Sequence, residues 1–239
     1  FCDLVAQLCE HTARELARGN PEPRYWIDVF AICQWKGALQ RADMPQGLNN
    51  TDHGFRRVIA STGKVVLALH RCLAPHMLGR AWCLYEMWAS VRGGAKLEAL
   101  MTEASREELR TKLSGGGLDV VGKMTRKIDV AKAQAQDPQD LQNIMEVIQG
   151  SPGGVHSVNV EVKVALNQAI AAAAREMVRE SPEDLGLKEG VAHMLFQEMG
   201  DLAGALPLFQ EVLAVHEADD GPEHPHTLTS LNNLGGLLE

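Results

Sequence analysis

The sequence predicts an α/β domain built on a parallel sheet, followed by an all-helical array. Three observations predict it. Short apolar runs at Tyr25–Ile32, Lys64–Leu69 and Ala95–Met101 alternate with helical patterns, and no hairpin signal lies between them. From about residue 186 the strand pattern stops, and helical segments recur at an offset of 42 residues, with Leu195-Phe196-Gln197 aligning on Leu237-Leu238-Glu239. The charge changes at the same place: residues 178–239 carry 12 acidic and 2 basic side chains, and residues 1–177 carry 19 and 21.

Taken in order, Phe1 to Gly19 reads as an amphipathic helix with Phe1, Leu4, Val5, Leu8 and Leu16 on its apolar face. Tyr25–Ile32 is apolar enough for a strand buried on both sides. Gln34 to Asn50 is a polar loop, and a short helix follows with Phe55, Val58 and Ile59. Lys64–Leu69 is the clearest strand. A helix from about Gly79 to Val91 presents Ala81, Trp82, Tyr85, Trp88 and Ala89, and Gly93-Gly94 closes it. After the strand Ala95–Met101, Ser105-Arg-Glu-Glu108 is a capping-box pattern opening the next helix, which Gly115-Gly116-Gly117 ends. Lys127–Val130 is read as a short strand, and Asp137-Pro138 as the start of a helix through Ile148. Val158, Val160, Val162 and Val164 alternate as a strand would, yet Val162, Ala165, Leu166, Ala169, Ile170 and Ala173 continue a helical face. Length and the alanine-rich end favour a helix from about Asn159, as its cap, to Val178.

Composition narrows the function classes. With 45% hydrophobic and 23% charged residues in 239, the chain is globular. It begins at Phe1 and reads as a piece of a longer protein. Five cysteines, odd in number and scattered through apolar segments, suit reduced thiols and a cytoplasmic setting. Cys72, His76 and Cys83 lie close in sequence, but no CxxC pair accompanies them, so no metal site is expected. No run of about 18 apolar residues is long enough to span a bilayer. No basic stripe offers a phosphate backbone its counter-charge, which argues against nucleic acid.

Two segments carry family resemblances. Gly186 to Glu198 and Leu202 to His216 form a helical pair. Gly221-Pro-Glu-His-Pro-His-Thr-Leu228 and Ser230-Leu-Asn-Asn-Leu-Gly235 follow it. Over residues 186–239 these resemble the tetratricopeptide repeats of kinesin light chains, which implies a solenoid whose groove holds a peptide. His224 and His226 fall in the repeat linker. Upstream, Arg80-Ala-Trp-Cys-Leu-Tyr-Glu86 contains a Trp-Cys-x-x-Glu core, and Trp26-Ile-Asp-Val-Phe30 resembles the strand that accompanies it. Over roughly residues 1–100 the chain is similar to TIR (Toll/interleukin-1 receptor) domains. Arg80 stands where such domains commonly carry Ser. The resemblance implies a flavodoxin-like parallel sheet over residues 1–177, with its first, central strand missing ahead of Phe1.

In TIR domains that cleave NAD, the glutamate of this core is catalytic, so the resemblance points to Glu86. A carboxylate there would stabilise positive charge developing on the ribose as nicotinamide departs. Trp82 lies one helical turn away on the same face, and Asp28 and Gln34 sit at or beyond a strand end, where such sheets gather ligand contacts. Each residue also has a structural reading: Glu86 as a solvated ion-pair partner, Trp82 and Trp88 as core aromatics, Asp28 as a loop-capping acceptor and Cys83 as a small apolar filler. Two functions follow. One is a signalling scaffold, in which the TIR-like domain self-associates and the repeats bind peptides. The other is a regulated NAD glycohydrolase that needs no resident cofactor and takes NAD as substrate. In both, residues 1–177 and 186–239 are expected to share few contacts.

Overall fold

The computed structural model describes residues 2–25, 59–69, 76–116 and 119–238. Among these the chain is mostly helical, with one two-stranded parallel sheet. Helix α1 (Cys2–Ala17) is followed by β1 (Lys64–Leu69), α2 (Ala81–Arg92), β2 (Lys96–Met101), α3 (Glu103–Ser114), α4 (Val120–Thr125), α5 (Pro138–Gln149) and α6 (Gly154–Glu180). Next come α7 (Leu185–His193), continued by a π turn over Met194–Glu198, then α8 (Leu202–Asp219) and α9 (Pro225–Leu238). The expected strand Tyr25–Ile32, apart from Tyr25, the loop 34–50 and residues 55–58 lie outside the described residues.

Strands β1 and β2 pair in parallel from Lys64↔Lys96 to Leu69↔Met101, with α2 as the crossover. Among the described residues the sheet has two strands; the wider flavodoxin-like sheet that the sequence predicts includes Tyr25–Ile32, which lies outside them apart from Tyr25. The expected strand at Lys127–Val130 is a correction. Ile128 and Val130 are buried as its alternation required, but Val130 opens a 3-10 turn capped by the Asp129 side chain, which accepts from Ala131 N–H. Asn159 Oδ1 accepts the Val130 N–H at 2.9 Å, the donor a ladder would have used. Strand-like pairing occurs four residues later: Gln134 N–H donates to Gly79 O at 2.8 Å and Ala81 N–H donates to Gln134 O at 2.9 Å.

Helix α6 is the spine. Its 27 residues extend about 40 Å at 1.5 Å each, and it packs against β2, α2, α4, α5 and α7. The helix begins at Gly154, one turn and more before the expected Asn159. Gly153 supplies a positive φ of 81° there, where a Cβ would lie 2.6 Å from Ser157 Cβ. Its alternating valines split by face. Val158 and Val162, four apart, are buried with Ala165 and Leu166, whereas Val160 and Val164 are exposed.

Two further expectations are corrected. Helix α3 starts two residues before Ser105, because Thr102 is its cap and accepts the Ser105 N–H at 3.2 Å. Helix α1 buries its apolar face only in part: Leu4 and Leu8 are half-buried and Val5 and Leu16 exposed, while Gln7 and His11 are buried. It docks on the sheet through polar groups. His11 Nε2 lies 3.0 Å from Glu98 on β2, its Nδ1 lies 2.5 Å from the Tyr25 hydroxyl, and Lys64 bridges Glu98 and Glu15.

The repeat helices also pack closely onto the rest. Leu187, Val191, Ala192, Met194 and Leu195 join the same buried cluster as Leu109, Leu113, Val121, Leu166 and Ile170. Helix α7 crosses the end of α3 so tightly that a Cβ at Gly190 would lie 2.2 Å from Leu113 O. Few contacts between the two parts were expected; the apolar face of α7 instead covers the apolar ends of α3 and α6. The charge imbalance follows the same seam. Arg106 pairs with Glu180, Arg110 with Asp184 and Arg175 with Asp201.

Candidate functional site

Helix α2 places the residues that the sequence singled out. Its buried side carries Ala81, Leu84, Tyr85, Met87, Trp88 and Ala89, and Gly93-Gly94 ends it, Gly94 with a φ of 71°. Tyr85 is fully buried between Trp82 and Trp88, with ring centroids 6.2 and 5.9 Å away. Trp88 is therefore a core aromatic. Trp82 is half-buried, and its indole N–H donates to Asp140 Oδ2 of α5 at 3.1 Å. Glu86 is half-buried one turn on, and its carbonyl accepts from the buried Ser90 hydroxyl at 2.6 Å. Trp82 and Glu86 thus share a flank of α2, and α5 adds a second carboxylate, Asp140, beside the indole. Cys83 is half-buried rather than enclosed, and His76 is exposed. Asp28, Gln34 and His70 lie outside the described residues.

A concavity among the described residues lies elsewhere. A groove of about 480 Å³ runs along α6 beside the end of α2 and the start of β2, lined by Val91, Leu97, Val160, Glu161, Val164 and Gln168. Trp82 and Glu86 are not part of it. Its polar anchor is Glu161, which accepts a bidentate pair from Arg92 at 2.7 and 2.8 Å and the Ser157 hydroxyl at 2.6 Å. Burial pushes the Glu161 carboxyl up, but Ser157 and Arg92 outweigh it and hold the group below its ordinary value. Sequence reasoning missed this groove, although the alternating Val160 and Val164, off the buried helical face, were its signal.

In the repeat segment, α8 packs against both α7 and α9. Asn233 Nδ2 of α9 donates to Glu189 Oε1 of α7 at 2.8 Å, a tie between alternate helices. One turn along α7, the His193 ring lies edge-on to Phe209 with centroids 5.0 Å apart. Burial lowers the His193 pKa, against the opposing effect of Glu189. The linker between α8 and α9 is pinned by Thr227, fully buried, whose hydroxyl donates to Gly221 O at 2.7 Å or His216 O at 3.1 Å.

Glu198 is a further junction residue that the sequence did not mark. Its two carboxylate oxygens accept Val120 N–H at 3.0 Å and Gly122 N–H at 2.7 Å, capping α4 from the π turn that follows α7.

Residues 185–239 match the tetratricopeptide repeat family. No curated protein and no solved structure matches the chain. Among the described residues, no helix is long and apolar enough to cross a membrane.

Proposed function

We propose that this chain is an intracellular interaction scaffold, in which the repeat segment binds peptides and a TIR-like front domain assembles with itself or with partners. The observation that carries the reading is the tetratricopeptide match over residues 185–239. The hydrogen bond from Asn233 of α9 to Glu189 of α7, which ties alternate helices of the segment, supports it. In a helical-repeat solenoid alternate helices line one groove, and a carboxylate and an amide there can hydrogen-bond an extended backbone. The acidic balance of residues 178–239 favours a basic peptide. The cysteine pattern favours the cytoplasm.

Peptide selection on the full chain tests this reading. Selected ligands should be rich in Lys and Arg, and Asn233→Ala should weaken them about tenfold with the fold intact. Ligands indifferent to Asn233→Ala and to Glu189→Ala would overturn the groove assignment.

A second reading, a regulated NAD glycohydrolase with Glu86 as the catalytic carboxylate, is favoured by one observation. Glu86 and Trp82 are both half-buried on one flank of α2, with Asp140 beside the indole. An aromatic wall and a carboxylate would respectively stack a nicotinamide and stabilise the cation left on the ribose.

A further inference from the structure

The α8–α9 linker gathers three histidines and an aspartate onto one small surface. His216 lies in the last turn of α8, Asp220 ends that helix, and His224 and His226 flank Pro225 at the start of α9. One ligand atom each from His216, Asp220 and His226 lies within 4.8 Å of the other two. His226 Nδ1 is 3.2 Å and His224 Nδ1 3.3 Å from the same oxygen, Asp220 Oδ2. The ring centroids of His216 and His226 are 5.5 Å apart, and those of His224 and His226 are 4.7 Å apart.

We propose that this cluster is a binding site for a divalent transition-metal ion of the zinc class. Imidazole nitrogens with one carboxylate suit zinc, nickel or copper, whereas calcium and magnesium prefer oxygen donors. Tetrahedral zinc with ligand bonds of about 2.0–2.2 Å sets its donors about 3.3 Å apart. The Asp220–His226 pair at 3.2 Å already has that spacing, and the His216 ligand atom lies within 4.8 Å of both. His216 is already oriented: its Nδ1 lies 2.8 Å from the Ser230 hydroxyl, which leaves Nε2 as its available nitrogen. Such an outer partner fixes the ring and its tautomer. The backbone beneath is also held, because the buried Thr227 hydroxyl donates to Gly221 O or His216 O. His216, His226 and Asp220 complete the set, with His224 or water as the fourth ligand. Bound metal joins the end of α8 to the start of α9 and fixes the angle between successive repeat helices.

The test is zinc titration of the untagged full chain by calorimetry at neutral pH, with a parallel melting curve and histidine ring spectra by NMR. One equivalent should bind saturably, raise Tm and shift the rings of His216 and His226. His226→Ala and Asp220→Asn should each weaken binding at least tenfold and abolish the Tm rise, with helical content unchanged because both positions are at the surface. Absence of saturable binding, or binding that both variants leave unchanged, overturns the assignment.

Discussion

Gly190→Ala probes whether the repeat helices belong to the core of the front domain. An alanine Cβ at this position would sit 2.2 Å from Leu113 O and 2.5 Å from Leu113 C, where ordinary contact begins at 3.4 Å. The obstacle is backbone and cannot rotate away, and Leu113 O already accepts the Gly116 N–H that closes α3. Helices α3 and α7 must therefore part by about 1.2 Å at their crossing. Overpacking of this kind costs about 3 kcal/mol at the upper end of the usual range. The intrinsic helix preference of Ala over Gly returns about 1 kcal/mol. The net loss is about 2 kcal/mol, or about 4–8 °C in Tm for a chain of this size. If α7 were instead an independent helix of a separate module, only the propensity gain would remain, and Tm would rise by about 2–4 °C. The two accounts differ in sign. Thermal unfolding followed by circular dichroism reads it, and a stabilised Gly190→Ala variant would refute the docking argument.

Removing the Glu198 carboxylate strands two amide donors at the start of α4, so Glu198→Ala should lower stability by about 1–2 kcal/mol in urea unfolding, and Glu198→Gln by less. The lowered pKa of His193 gives stability a pH dependence. Its proton binds more readily in the unfolded chain, so its contribution is complete above pH 6.5 and is lost as pH falls through that value toward the folded pKa. His193→Phe should remove that part of the slope, as measured by Tm between pH 5 and 7.5. Glu161 acts lower. Its contribution is present above its ordinary value of 4.5 and is lost as pH falls further, so Arg92→Gln should flatten the acid limb of the same curve.

Much of the helical framework was legible because its signals are local. Asp137-Pro138, the glycines after α2 and α3, and the apolar face of α2 each set an element boundary through a few neighbouring residues. The parallel pairing of β1 with β2 followed from their apolar runs and the intervening helix. What was not legible depends on groups distant in sequence. Asn159 looked like a helix cap, but its amide is used on Val130, 29 positions away. His11 is buried because Glu98 and Tyr25 receive it, and no periodicity within α1 indicates that. The seam between front and repeat segments was hidden for a related reason: a change in charge looks the same whether it separates two modules or lines an interface. Here Arg106, Arg110 and Arg175 meet the acidic groups directly. At the candidate site, the pairing of Trp82 with Glu86 on one flank came from helical spacing alone. The bond from Trp82 to Asp140 spans 58 positions and could not be read that way.

Whether the chain acts by binding or by turnover is tested most directly by nicotinamide release from NAD, measured on the full chain beside Glu86→Gln. A scaffold predicts no release above the solvent blank and no difference between the two proteins. Release that Glu86→Gln abolishes, with Tm unchanged, would contradict that account and assign the flank of α2 to catalysis.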